Sequence, residues 1–107
     1  MSDIIKELKI LKPEKKNDII TNVRRITIGE ATKTQAQNLR EYSKKTESIE
    51  EILLYLEYQC IREKKLKHAG LQVINLIKKY KGDGIDVIRY LLGTFARWVI
   101  IESKRGE

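Results

Sequence analysis

Few side chains in this chain are of a type that carries covalent or metal chemistry. Cys60 and His68, the single cysteine and the single histidine, stand eight positions apart. A thiol beside an imidazole makes a nucleophile, but the pair also needs a group to orient the base and a cleft to admit substrate. Cys60 falls on the apolar stripe Ile49, Ile52, Leu53, Leu56, Cys60, Ile61, where a thiol serves as a small core residue. Zinc takes about four ligands of Cys, His or carboxylate type, and the sequence holds no such cluster. Gly82-Asp83-Gly84 lacks the Lys-Ser/Thr pair with which a P-loop holds phosphate and magnesium. Glu50 and Glu51 are neighbours at an exposed helix start, a poor setting for paired acid–base work. The sequence therefore predicts a binding protein, with no catalytic residue, metal or cofactor.

The elements that would position a binding surface read as helices throughout. Pro13 is the only proline, and hairpin dipeptides are scarce, both arguing against a sheet. Residues 3–10 read as a short amphipathic helix stopped before Pro13, with Lys12 to Asn17 as a polar link. Asp18 then caps a helix carrying Ile19, Ile20, Val23 and Ile26 and ended by Gly29, unless Ile26-Thr27-Ile28 is extended. Thr32 or Thr34 opens a third helix to about Lys45, poor in apolar residues and so expected at the surface. Ser48 and Glu51 form a capping box before a strongly periodic helix that ends near Lys64. A further helix runs from about Lys67 to Tyr80, with a glycine turn after it. The last, from Ile85 to about Ser103, is apolar on more than one face, which requires burial on several sides. The expected fold is all-α, a compact bundle of about five to six helices. It forms one domain over 1–107, with 1–30 as variable N-terminal helices and 31–104 as the core bundle.

Charge points to the kind of partner. The 107 residues carry a net charge of +7 and a pI of about 9.5, a balance that favours nucleic acid or another polyanion. It is unevenly spread. Four glutamates and no basic residue lie between Glu47 and Glu57, whereas seven basic residues and one acid lie between Arg62 and Lys81. The helix dipole favours acids at a helix start and cations at its end, which accounts for Arg62 and Lys64. It does not account for Lys78, Lys79 and Lys81 gathering near Arg62, Lys64, Lys65 and Lys67 in sequence. Those residues predict a phosphate-binding surface that is salt-sensitive and blind to sequence. No stretch approaches the ~20 apolar residues that span a bilayer, and residues 1–9 do not read as a secretory signal. One cysteine fits a reducing interior, so the expected location is the cytoplasm, with no membrane partner.

Three stretches together resemble the small helical subunit of type III-A (Csm-type) CRISPR effector complexes. They are Thr32-Lys33-Thr34-Gln35-Ala36-Gln37-Asn38-Leu39, Tyr55-Leu56-Glu57-Tyr58-Gln59-Cys60-Ile61-Arg62, and the aromatic–aliphatic final helix. Thr32, Thr34, Gln35 and Leu39 match that family's helix start, and Leu56, Tyr58 and Arg62 match its second motif. The likeness covers about 31–104. Gln37 stands where the family usually has a basic residue, with Arg40 one turn on, and Tyr55 stands where a lysine is common. The resemblance implies a non-catalytic bundle. Copies of it would stack along the guide RNA–target RNA duplex beside other effector-complex subunits, with Arg40, Arg62 and the Lys64–Lys67 cluster on phosphates.

Two other readings compete. A protein–protein adaptor would dimerise through Phe95 and Trp98 of the final helix and use its charge only for solubility. A DNA-binding helix-turn-helix would centre on the Lys64–Gly70 turn, with Leu71, Gln72 and Asn75 toward bases. The RNA reading also expects self-association through that final helix.

Overall fold

The computed structural model describes residues 11–105, so the helix expected over 3–10 lies outside the described residues. Within them the fold is all-α. The helices are α1 (Pro13–Val23), α2 (Lys33–Lys44), α3 (Ile49–Arg62), α4 (Lys64–Tyr80) and α5 (Ile85–Arg105), with a single 3-10 turn at Lys81–Asp83.

Pro13 starts a helix. Its missing N–H falls at the first helical position, where the amide has no intrahelical partner anyway. The expected link from Lys12 to Asn17 is therefore the first part of α1. Asp18, expected as a cap, sits mid-helix and accepts a hydrogen bond from the Tyr80 hydroxyl. That hydroxyl in turn accepts from Asn22 Nδ2 at 2.8 Å. The helix stops at Val23, well short of Gly29. The irregular run that follows is tied down twice. Gln72 reaches across from α4 with its amide, accepting from Thr27 N–H at 3.1 Å and donating to Thr27 C=O at 3.0 Å. Trp98 Nε1–H donates to Ile26 C=O at 3.1 Å. Gly29 then turns the chain with φ +62°, a conformation that favours glycine.

Both later caps read from the sequence are present, one in altered form. Thr32 and Gln35 make a complete capping box on α2. Ser48 accepts from Glu51 N–H on α3, but the Glu51 carboxylate accepts from the Thr46 hydroxyl and not from the cap's own N–H. Thr46 Oγ1 fills that role, accepting from Ser48 N–H at 3.1 Å.

The helices pack as two antiparallel pairs. α3 and α4, joined only through Glu63, lie so close that a Cβ at Gly70 would meet Cys60 Sγ at 2.3 Å. α2 runs antiparallel to α5. Gly93 of α5 lies against Arg40, and Arg89, one turn earlier, donates to Ser43 C=O at 2.9 Å. The expectation that α2 lies on the surface holds for one side only, because Ala36, Leu39 and Ser43 are buried. Tyr42 of α2 stacks on Tyr55 of α3 with centroids 4.2 Å apart and planes 6° apart. This gives Tyr55 a packing role. α5 is the centre of the bundle, with Val87, Ile88 and every residue from Leu91 to Ala96 buried. Ile19, Val23, Ile26 and Ile28 join the same core, so it is continuous across residue 30.

Candidate nucleic-acid interface

The structure divides the cations into separate regions. The richest is a trough along the outer side of α5, bordered by α2. Arg40, Lys44, Arg89, Tyr90, Gly93 and Arg97 line a hollow of about 230 Å³. It forms because Lys33, Gln37, Arg40 and Lys44 recur at helical spacing and make one stripe along α2. On α5, Arg89, Gly93 and Arg97 recur four apart on the facing stripe. Gly93 is buried beneath the cations, and its lack of a side chain lets Arg40 lie close on the α5 backbone. Lys16 extends the charge from α1, with its ammonium 5.8 Å from the centre of the Tyr90 ring.

These cations are not equivalent. Arg89 caps the end of α2, donating to Ser43 C=O and, at 2.8 Å, to Thr46 C=O. It also pairs with Glu47 at 3.1 Å and Asp86 at 3.4 Å. Its charge is largely used within the fold, satisfying carbonyls that a helix end leaves unpartnered. Lys44 pairs with Glu41 at 3.2 Å on the exposed surface, where such a pair is weak. Arg40 and Arg97 have no carboxylate partner among the described residues. Arg40 makes only a long 3.5 Å contact to Gln37 Oε1, so both guanidinium groups are free to take an external anion.

A second region joins the two halves of the sequence motif. Thr34, Gln35 and Asn38 of α2 face Tyr55, Gln59 and Arg62 of α3 across a polar cleft of about 430 Å³. Thr32 and Gln35 cap α2, and Leu39 and Leu56 are core. Part of the motif therefore encodes a helix start and its packing, while Arg62 is left exposed at the cleft.

The remaining predicted contacts are not one cluster. Lys64, Lys65 and Lys67 are exposed at the first turn of α4. Lys78 and Lys79 are exposed at its other end, about 21 Å along the helix from Lys65 at 1.5 Å per residue. Lys78 shares a hollow with Glu50 and Glu57, and Lys79 lies beside the Tyr80 ring at 5.5 Å. Sequence proximity suggested a gathering that the length of α4 separates.

Phe95 and Trp98, expected at an interface, belong to the core. Phe95 is 0% and Trp98 7% exposed. The Trp98 indole is consumed by Ile26, and Arg24 lies over its ring at 5.4 Å. The apolar surface that remains is elsewhere, at Leu54, Tyr58, Ile61, Leu71 and Ile101.

Cys60 and His68 do not make a pair. Cys60 is buried against Gly70, and burial pushes its thiol above its ordinary range, with Lys67 opposing and Glu57 adding to the effect. His68 is exposed beside Gly29. Among the described residues no three of His, Cys, Asp and Glu converge as a metal-binding group. None of the helices described is long and apolar enough to cross a membrane.

Sequence reading found Arg40 but missed Lys44, Arg89 and Arg97. The available signal was an arginine–glycine–arginine stripe at four-residue spacing in an otherwise apolar helix. Compared with models of protein families, with curated proteins and with solved structures, the chain matches none.

Proposed function

We propose that this chain is a non-catalytic, RNA-binding scaffold subunit of a ribonucleoprotein that grips the phosphate backbone and ignores base sequence. The observation that carries the reading is the α2–α5 trough. There two guanidinium groups without a carboxylate partner among the described residues, Arg40 and Arg97, lie about Gly93, with Lys44 and Lys16 extending the charge. Cations on rigid helices suit phosphates, which fix orientation without reading bases. An A-form duplex, whose deep major groove is closed to side chains, is held in this way. The resemblance to the small subunit of type III-A CRISPR complexes supplies the identity of the RNA, a guide–target duplex. Arg62 and the Lys64–Lys67 turn form a second contact region in that reading.

The test is binding of the full chain to labelled single-stranded RNA, duplex RNA and duplex DNA across a salt series. Affinity for duplex RNA is expected to fall by about 0.9 log units per log unit of salt for each phosphate contacted. Reversing Arg40 and Arg97 to glutamate is expected to lower affinity at least tenfold and to flatten that slope by about 2. Arg89 is left in place because it caps α2. Binding that survives the double reversal with its slope intact would move the site away from the trough. An absence of salt-dependent binding to all three nucleic acids would sink the reading altogether.

A further inference from the structure

The polar cleft between α2 and α3 holds more than the exposed cation at its edge. Tyr55, Gln59 and Arg62 follow one another along α3 at spacings of four and three, so they share one stripe. Gln35 and Asn38 face them from α2 across a cleft of about 430 Å³, a volume within the range of small-ligand sites. The Tyr42–Tyr55 stack joins the two helices at one end. The amides come next, and Arg62 and Glu63 follow beside Thr32 and Thr34 at the start of α2. Leu39, Leu56 and Leu66 line the cleft as an apolar floor. Several of these polar groups have no use within the fold. Among the described residues the Asn38 and Gln59 amides and the Tyr55 hydroxyl make no hydrogen bond to the protein, and none is sealed from solvent. Gln35 Oε1 accepts from Thr32 N–H at 3.0 Å, which leaves its two amide donors free. Arg62 pairs only with Glu63, at 3.8 Å on the exposed surface, where such a pair is weak.

Such a cleft suits a molecule that is flat and apolar on its faces, polar along one edge and anionic at one end. The geometry points to a single unpaired nucleotide of an RNA strand, with its base against the Asn38 and Gln59 amides and its phosphate on Arg62. A primary amide sets a donor beside an acceptor, and a half-turn about its last bond exchanges them. The Watson–Crick edge of every base also sets a donor beside an acceptor, so an amide complements each of the four. The cleft therefore selects an edge that is not already paired, and it is blind to which base carries that edge. Unstacked bases of open strands offer such edges, and those of a duplex do not. Glu63 is placed to accept from a ribose hydroxyl, the group by which RNA differs from DNA. One cation beside one carboxylate makes a poor site for a bare anion, which leaves recognition to the amides. This inference rests on the RNA-binding reading and extends it. The α2–α5 trough holds backbone phosphates, and the α2–α3 cleft admits a base where the strand is open.

Nuclear magnetic resonance of the full chain reads the contact directly, through the side-chain NH2 signals of Asn38 and Gln59. Titration with UMP is expected to shift both. Uridine, which lacks the phosphate, should shift the same signals but bind about fivefold more weakly or worse. Arg62→Gln should bring UMP down to the level of uridine and leave uridine unchanged. Gln59→Leu and Asn38→Leu, which keep side-chain bulk, are each expected to weaken UMP about fivefold or more, with unchanged helical circular dichroism. On a strand, hexauridylate is expected to bind at least fivefold more tightly than an abasic ribose-phosphate hexamer of the same charge, and the double leucine variant should erase that advantage. Equal binding of the two hexamers, or a UMP titration that moves neither amide, overturns the inference. So does UMP binding with no advantage for the hexamer, which would make the cleft a site for free nucleotide. Failure here is separable from failure of the trough. The double leucine variant is expected to bind duplex RNA with its salt slope intact, and reversal of Arg40 and Arg97 to leave the UMP shifts in place.

Discussion

Tyr80 shows how one side chain couples helices distant in sequence. It is 2% exposed, donates to Asp18 and accepts from Asn22. Burial, reinforced by the Asp18 hydrogen bond, pushes its phenol up to about 12. The phenol is neutral when protonated, so the folded state keeps its proton to higher pH than the unfolded chain, whose tyrosines titrate near ~10. The contribution of Tyr80 is thus fully present below pH ~10 and is lost as pH rises from there toward about 12, by about 2–3 kcal/mol. Tyr80→Phe is expected to cost about 1 kcal/mol at neutral pH through its lost hydrogen bonds. Urea unfolding should show that deficit narrowing above pH 10, vanishing near pH ~10.7 and reversed in sign by about pH 12. A deficit constant from pH 7 to 12 would show that the phenol does not titrate as placed.

At the scale of elements, the caps decide where helices begin. Thr32→Ala removes an acceptor that Gln35 N–H reaches at 3.1 Å and is expected to cost about 1 kcal/mol. Thr34→Ala, at the second position of the same helix and without a capping bond, should change stability by less than about 0.5 kcal/mol. Thermal unfolding of the two variants checks the contrast, and equal losses would mean that the motif threonines act otherwise than as caps. Such local signals explain what was legible in the sequence. The starts at Thr32 and Ser48, the break before Ile85 and the burial of α5 on several sides each rest on residues a few positions apart. The stretch Lys12 to Asn17 reads as a link because a proline is taken as a stop, yet proline equally favours the first turn of a helix that follows it. Lys67 seemed to open α4, but the chain needs only Glu63 to turn from α3, so the helix starts three residues earlier.

For the whole molecule, what was not legible is pairing. The trough needs Arg40 beside Gly93 and Arg97, more than fifty positions away, and nothing in either helix alone states that the two lie antiparallel. A helix apolar on more than one face likewise announces burial without saying by what. That is why Phe95 and Trp98 read as an interface when the chain itself covers them. Phe95→Ala is expected to cost about 3–5 kcal/mol, enough to unfold much of a small domain of ordinary stability. Ile61→Asp, on the exposed face of α3, should leave the unfolding temperature within a few degrees of wild type. The reverse ranking in differential scanning calorimetry would put Phe95 outside the core.

The order of synthesis gives the position of α5 a further consequence. α3 and α4 are contiguous in the chain and pack mainly on each other, so they have partners as soon as both are made. α1 and α2 leave the ribosome earlier, yet the helix against which each packs is the last one described. Until residues 85–105 emerge, Leu39 and Ala36 of α2 and the apolar side of α1 have nowhere to go. The nascent chain is therefore expected to carry a formed α3–α4 hairpin preceded by two uncommitted helices, and to close into a bundle only once residues 85–105 have emerged.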